Sequence, residues 1–92
     1  MLFFKLLLVN DILSQNTKKA TKFYKEGNAL YSIGDFDSAI DLFLKSLRSD
    51  HNFCPAIYKL GLSYKKKNIF SEYKNWLLVY KDKMCQQNKD DV

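Results

Sequence analysis

Residues whose types could do chemistry are few in this 92-residue chain and scattered. The single histidine, His51, sits beside Asp50 in a loop, with no base or nucleophile visible near it in sequence. A catalytic site needs several groups in mutual geometry, so His51 reads as a turn residue. Cys54 and Cys85 lie far apart, without CxxC or histidine spacing, which disfavours a metal site. Two cysteines of this kind suit a reducing compartment, where each behaves as a small hydrophobe, and a disulfide between them stays open. There is no Gly-rich phosphate loop, acidic metal pair or GxSxG elbow. These observations predict a protein that is not an enzyme and uses no cofactor.

Charge points to partners rather than to chemistry. The formal net charge is +5. Residues 1–53 carry seven Lys or Arg against six Asp or Glu, and residues 54–92 carry eight against four. Lys65, Lys66 and Lys67 form the densest cluster. Lys18, Lys19, Lys22 and Lys25 fall at helical spacing, and such a run reads as a solvated face. Nucleic-acid binding would want a basic stripe interleaved with exposed aromatics. Tyr58 and Tyr64 are near the cluster, but Tyr64 falls at a core position.

The elements that must position these residues are helices. A hydrophobic fraction of 47% supports a packed core, and three Gly with one Pro argue against a turn-rich all-β design. Over residues 23–52 apolar residues recur at i, i+3, i+4 and i+7: Phe23, Leu30 and Ile33, then Phe36, Ala39, Ile40, Phe43 and Leu47. Gly34 and Asp35 between the two runs are turn chemistry, with Gly34 able to end a helix in the left-handed conformation and Asp37 at the positive end of the next. Gly27 and Ala39 are small residues that allow the two backbones to approach. Downstream, Pro55 suits a first helical turn and Asn68 a left-handed helix end. The predicted helices run over about 17–33, 36–49, 54–67 and 70–85, with a frayed tail at 86–92.

Gly27-Asn28-Ala29, Gly34-Asp35-Phe36, Ala39-Ile40, Phe43 and Ser46-Leu47 together resemble the tetratricopeptide repeat, a helix-turn-helix unit of about 34 residues. A second copy lies one period later in Ile57, Leu60-Gly61, Tyr64, Asn68, Phe70, Leu77 and Tyr80. It departs from the first at Tyr73, where Ala39 stands, and at Asn68, where Gly34 stands. The Pro expected after the second helix is displaced to Pro55, with His51 in its slot. The resemblance implies an all-α fold of about five helices, stacked as a short right-handed superhelix. Its parts are an N-terminal apolar helix at 1–14, a hairpin at 17–53, a second hairpin at 54–85, and the tail. Two such repeats are marginal alone, since roughly three are needed to bury a continuous core.

Residues 1–13 are the most apolar stretch. Lys5 interrupts the run and residues 14–16 make a poor cleavage site, which disfavours a secretory signal. Asn10 and Asp11 stop the run short of the roughly 20 residues a membrane span needs. The favoured reading is a core-packing helix with Leu2, Leu6, Val9 and Leu13 on its buried face, separated from the next helix by a polar break at 14–17 where Asn16 or Thr17 would serve as N-cap.

In the resembled family, first helices line a concave groove that holds peptides or proteins. The matching positions here are Tyr24, Asn28, Tyr31 and Ser32 in the first copy, and Tyr58, Leu62, Lys65 and Lys66 in the second. One subtype clamps a terminal carboxylate with Lys and Asn. Asn28 matches that Asn, but Tyr24 stands where the Lys should be, so the chaperone-tail clamp is not expected. The resemblance thus implies a cytoplasmic scaffold or adaptor that binds an acidic, partly apolar protein or peptide segment. A homo-oligomer through the terminal helices is a second expectation. Trp76, Leu77 and Tyr80 are candidates for that open face, with Trp76 equally placed for the core. The alternatives are a basic helical module that binds nucleic acid and an assembly factor tethered to a membrane by its N-terminal segment, both disfavoured.

Overall fold

The computed structural model describes residues 2–85, with side chains described from Asn16 onward. It contains four helices: α1 (Leu2–Ser32), α2 (Phe36–Ser49), α3 (Cys54–Lys66) and α4 (Phe70–Asp82). They pack as two helical hairpins, α1 on α2 and α3 on α4, with α2 against α3 joining the pairs.

The expected break at 14–17 does not form. Residues 2–32 are one continuous helix, so the chain has four helices rather than about five among the described residues. The reason is local. Residues 14–17 contain neither Gly nor Pro, and Ser, Gln, Asn and Thr each weaken a helix by well under about 1 kcal/mol relative to Ala. Thr17 does not cap: its carbonyl accepts from the Thr21 hydroxyl at 2.9 Å, one helical turn on. Residues 2–13 therefore extend α1 instead of folding back on it. The predicted buried face of that segment, and the tail at 86–92, lie outside the described residues.

Both hairpin turns use the same bonds one repeat apart. In the first, the Gly34 N–H donates to the Tyr31 carbonyl and the Asp35 N–H to the Leu30 carbonyl. In the second, the Asn68 N–H donates to the Lys65 carbonyl and the Ile69 N–H to the Tyr64 carbonyl. Gly34 (φ 86°) and Asn68 (φ 64°) take the left-handed conformation that this helix ending requires. The two turns differ in how they start the next helix. Asp35 caps α2 by accepting from the Ser38 N–H at 3.2 Å, whereas Ile69 gives α4 no side-chain cap.

The core lies between α2 and α3. Ala39, Phe43, Ala56 and Leu60 are completely buried, with Ile40, Leu47 and Ile57 nearly so. A fully buried side chain of Phe or Leu size contributes about 1.5–3 kcal/mol, so this cluster dominates stability. Gly27 lets α1 come down on it: a Cβ added there would meet the Phe43 ring and Leu42. Ser46, also buried, keeps its polarity satisfied by donating to the Ala20 carbonyl of α1 at 2.7 Å. Ile33, expected on the apolar stripe, is 77% exposed because α1 ends at Ser32 and Ile33 belongs to the turn.

Cys54 and Cys85 are joined in a disulfide across 31 residues of sequence. Neither is a free thiol, which corrects the reading of both as separate small hydrophobes. The bridge ties the first residue of α3 to the chain just beyond α4 and closes the second hairpin at its open end. Cys85 is itself core, at 1% exposure. Among the described residues no helix is long and apolar enough to cross a membrane.

Candidate groove on α1 and α3

Tyr24, Asn28 and Tyr31 fall at i, i+4 and i+7, so one stripe of α1 presents all three. That stripe faces the second hairpin. Tyr24 packs its ring edge-on to Phe53, just before α3, at 5.7 Å between centroids, and tilted on Phe43 at 5.8 Å. Burial pushes the Tyr24 phenol above its ordinary value, since the phenolate would have to form among these rings. Tyr31 packs edge-on against Phe36 at 5.2 Å. Lys59 of α3 reaches across and places its Nζ 4.3 Å from the centre of the Tyr31 ring, joining α1 to α3 by a cation–π contact.

Asn28 lies between the two tyrosines. Its Oδ1 is shut off from solvent and has no hydrogen-bond partner among the described residues. A buried amide oxygen left unpaired costs about 1–3 kcal/mol. Ser32, one turn further, spends its hydroxyl on the Asn28 carbonyl at 3.0 Å rather than on the Asn28 side chain.

The second copy contributes less to this face than its register implies. Tyr58 is exposed, with its ring 5.6 Å from that of Tyr80 on α4. Leu62 is half-buried. Lys65 and Lys66 are both exposed, but Lys65 extends over the Tyr73 ring of α4 at 5.4 Å and so leans toward α4. The structure thus brings Tyr24, Asn28 and Tyr31 onto one stripe of α1, turns Tyr58 and Lys65 toward α4, and leaves Ser32, Lys65 and Lys66 exposed. Lys59 is the residue that sequence reasoning missed. Its signal was weak: a single lysine between Tyr58 and Leu60, with nothing in the spacing to say that it crosses to α1.

Several other polar groups tie the loops to the helices. The carboxylate of Asp50 accepts from the Thr17 hydroxyl at 3.4 Å and from the Asn52 N–H at 3.1 Å, fixing the α2–α3 loop against α1. Lys83 beyond α4 donates to Asn52 Oδ1 at 2.9 Å, holding the same loop from the other hairpin. His51 is exposed there, beside a small polar hollow bordered by Asn16 and Thr17. Lys67 pairs with Asp37 across the two turns, an exposed contact of small energetic weight. Tyr64, predicted as core, packs half-buried against the core cluster. Its phenol is raised by burial first and by the nearby Glu72 carboxylate second.

Neither protein-family models nor curated proteins yield a match to this chain.

Proposed function

We propose that this chain is a tetratricopeptide-type interaction module, an adaptor or assembly factor that holds a segment of a partner protein on the shared face of α1 and α3. The observation that carries this reading is Asn28: a half-buried amide with an orphaned oxygen, set between two tyrosines on the stripe of α1 that reaches Phe53 and Lys59. An extended segment offers backbone N–H groups that would satisfy such an oxygen once the side chains covering it move aside. Tyr24, Tyr31 and Tyr58 offer flat apolar area at modest entropy cost. Lys59, Lys65 and Lys66 favour an acidic segment and speed its arrival. The paired turns at Gly34 and Asn68 support the repeat reading, because the same two bonds recur one family period apart. The Cys54–Cys85 bridge supports a compartment in which thiols are oxidised and weighs against the cytoplasmic expectation.

The test is a stability–binding split at Asn28. Replacing it with Leu removes the unpaired oxygen and should raise stability. Screened against a library of acidic, partly apolar peptides, the wild-type protein should capture a subset and Asn28→Leu should lose it. A variant that gains stability while binding the same peptides equally well would show that Asn28 is only a packing defect.

A further inference from the structure

The outer face of α4 is a second surface, separate from the groove. α4 has no buried residue, although it carries Phe70, Tyr73, Trp76, Leu77, Leu78, Val79 and Tyr80. Its inner face is accounted for: Trp76, Val79 and Tyr80 pack against the core. The opposite face carries Phe70, Lys74, Leu77, Leu78 and Lys81, at i, i+4, i+7, i+8 and i+11, which is one stripe of a helix. Phe70 is 52% exposed and Leu78 59%. Lys74 and Lys81 are exposed between them, whereas the helix's acidic residues, Glu72 and Asp82, lie off the stripe.

α2 and α3 each pack against a helix on two sides, but α4 packs chiefly on α3. A further helix is the element that fits an exposed apolar stripe of this kind. We propose that this face docks an acidic amphipathic helix of a partner protein, its apolar side on Phe70, Leu77 and Leu78 and its carboxylates on Lys74 and Lys81. A second copy of the chain fits poorly. A symmetric α4–α4 contact would bring the lysines of one copy, Lys74 and Lys81, close to those of the other, in a protein that already carries a net +5. A lipid surface would be satisfied by the same charges and the same helical spacing, and a vesicle arm of the test separates it.

The probe is a synthetic amphipathic peptide about as long as α4, with leucines on one face flanked by glutamates. Trp76, the single tryptophan, reports from the same helix. Saturable binding is expected, weaker by about tenfold or more in Phe70→Ser/Leu78→Ser, since losing two buried apolar anchors exceeds the roughly 1.4 kcal/mol of one decade. Lys74→Glu/Lys81→Glu should reject this peptide and accept a charge-reversed one flanked by lysines. These positions are exposed, so far-UV circular dichroism should be unchanged. Binding that ignores both double variants would overturn the proposal. So would dimerisation by sedimentation that Phe70→Ser/Leu78→Ser abolishes, which would assign the face to a second copy. Equal dependence on these residues for anionic vesicles, with no peptide binding, would assign it to a membrane surface.

Discussion

Gly27 presents bare backbone to the ring of Phe43: a Cβ added there would stand 2.8 Å from Cε1 and 2.9 Å from Cδ1, with Leu42 Cβ at 3.2 Å. Phe43 is completely buried and has nowhere to retreat. One repeat later, Gly61 occupies the matching position with Trp76 Cβ at 3.6 Å and Tyr73 Cδ1 at 3.7 Å, which is ordinary contact. Two glycines that look equivalent in sequence therefore predict opposite signs. Gly27→Ala overpacks the α1–α2 crossing, and that cost of about 1–3 kcal/mol outweighs the helix-propensity gain. Gly61→Ala fills available space and gains up to about 1 kcal/mol of helix propensity. Urea unfolding of the two variants checks the pair. Equal shifts in one direction would refute the assigned crossing geometry.

The second turn is the weaker of the two. Asn68 holds φ 64° without glycine's freedom, whereas Gly34 holds φ 86° with it. Asn68→Gly should stabilise the protein modestly, by about 0.5–1 kcal/mol, because the left-handed conformation then carries no Cβ penalty. Gly34→Ala should destabilise by about 1–2 kcal/mol for the converse reason, even though no atom lies within 4 Å of the added Cβ. Thermal melts read both, and a loss on Asn68→Gly would mean that the Asn side chain stabilises the turn itself.

Those turns were legible in the sequence because Gly34 and Asn68 are the residue types that the left-handed position selects. The α2 core was equally legible, since Ala39, Ile40, Phe43 and Leu47 repeat at helical spacing and all four are buried. The continuity of α1 was not. A polar run of cap-forming residues is neutral evidence when no Gly or Pro accompanies it, and the helix runs through. The disulfide was not legible either, because two cysteines 31 residues apart fix no geometry until both helices of a hairpin have been placed. On the candidate groove, the grouping of Tyr24, Asn28 and Tyr31 came from register alone. Lys59 did not, since cation–π contacts across helices leave no periodic trace, and Lys65 leans toward Tyr73 for the same kind of reason.

The Cys54–Cys85 bridge should be a structural staple. It closes a long loop in the unfolded chain, which in the chain-entropy account gives about 2–4 kcal/mol. Cys85 is almost fully buried and Cys54 half-buried, so reductants reach the bond chiefly as the end of the second hairpin opens. Cys54→Ala/Cys85→Ala should lower stability by that amount and steepen the urea dependence, because the unlinked chain expands further on unfolding. In the wild type, dithiothreitol under native conditions should reduce the bond slowly, at a rate that rises with added urea. Immediate reduction without urea would place the bridge at an exposed, labile site.

Alkaline pH should destabilise the fold through two tyrosines. Tyr24 is raised above its ordinary value of 10.0 by burial, and Tyr64 by burial and then by Glu72, with Lys67 opposing. A group that holds its proton more tightly when folded contributes stability below its unfolded pKa and loses it as pH rises toward the folded value. The window therefore opens near pH 10 and extends above it, with no contribution to acid stability from either phenol. The informative comparison is between wild type and Tyr24→Phe/Tyr64→Phe, which differ only in the two phenols. Urea midpoints measured from about pH 8 to about pH 11 should fall more steeply in the wild type. The double variant should start lower if either hydroxyl makes a hydrogen bond, and its curve should be flatter in the alkaline limb. Two parallel curves through that limb would mean that neither phenol is held neutral by the fold.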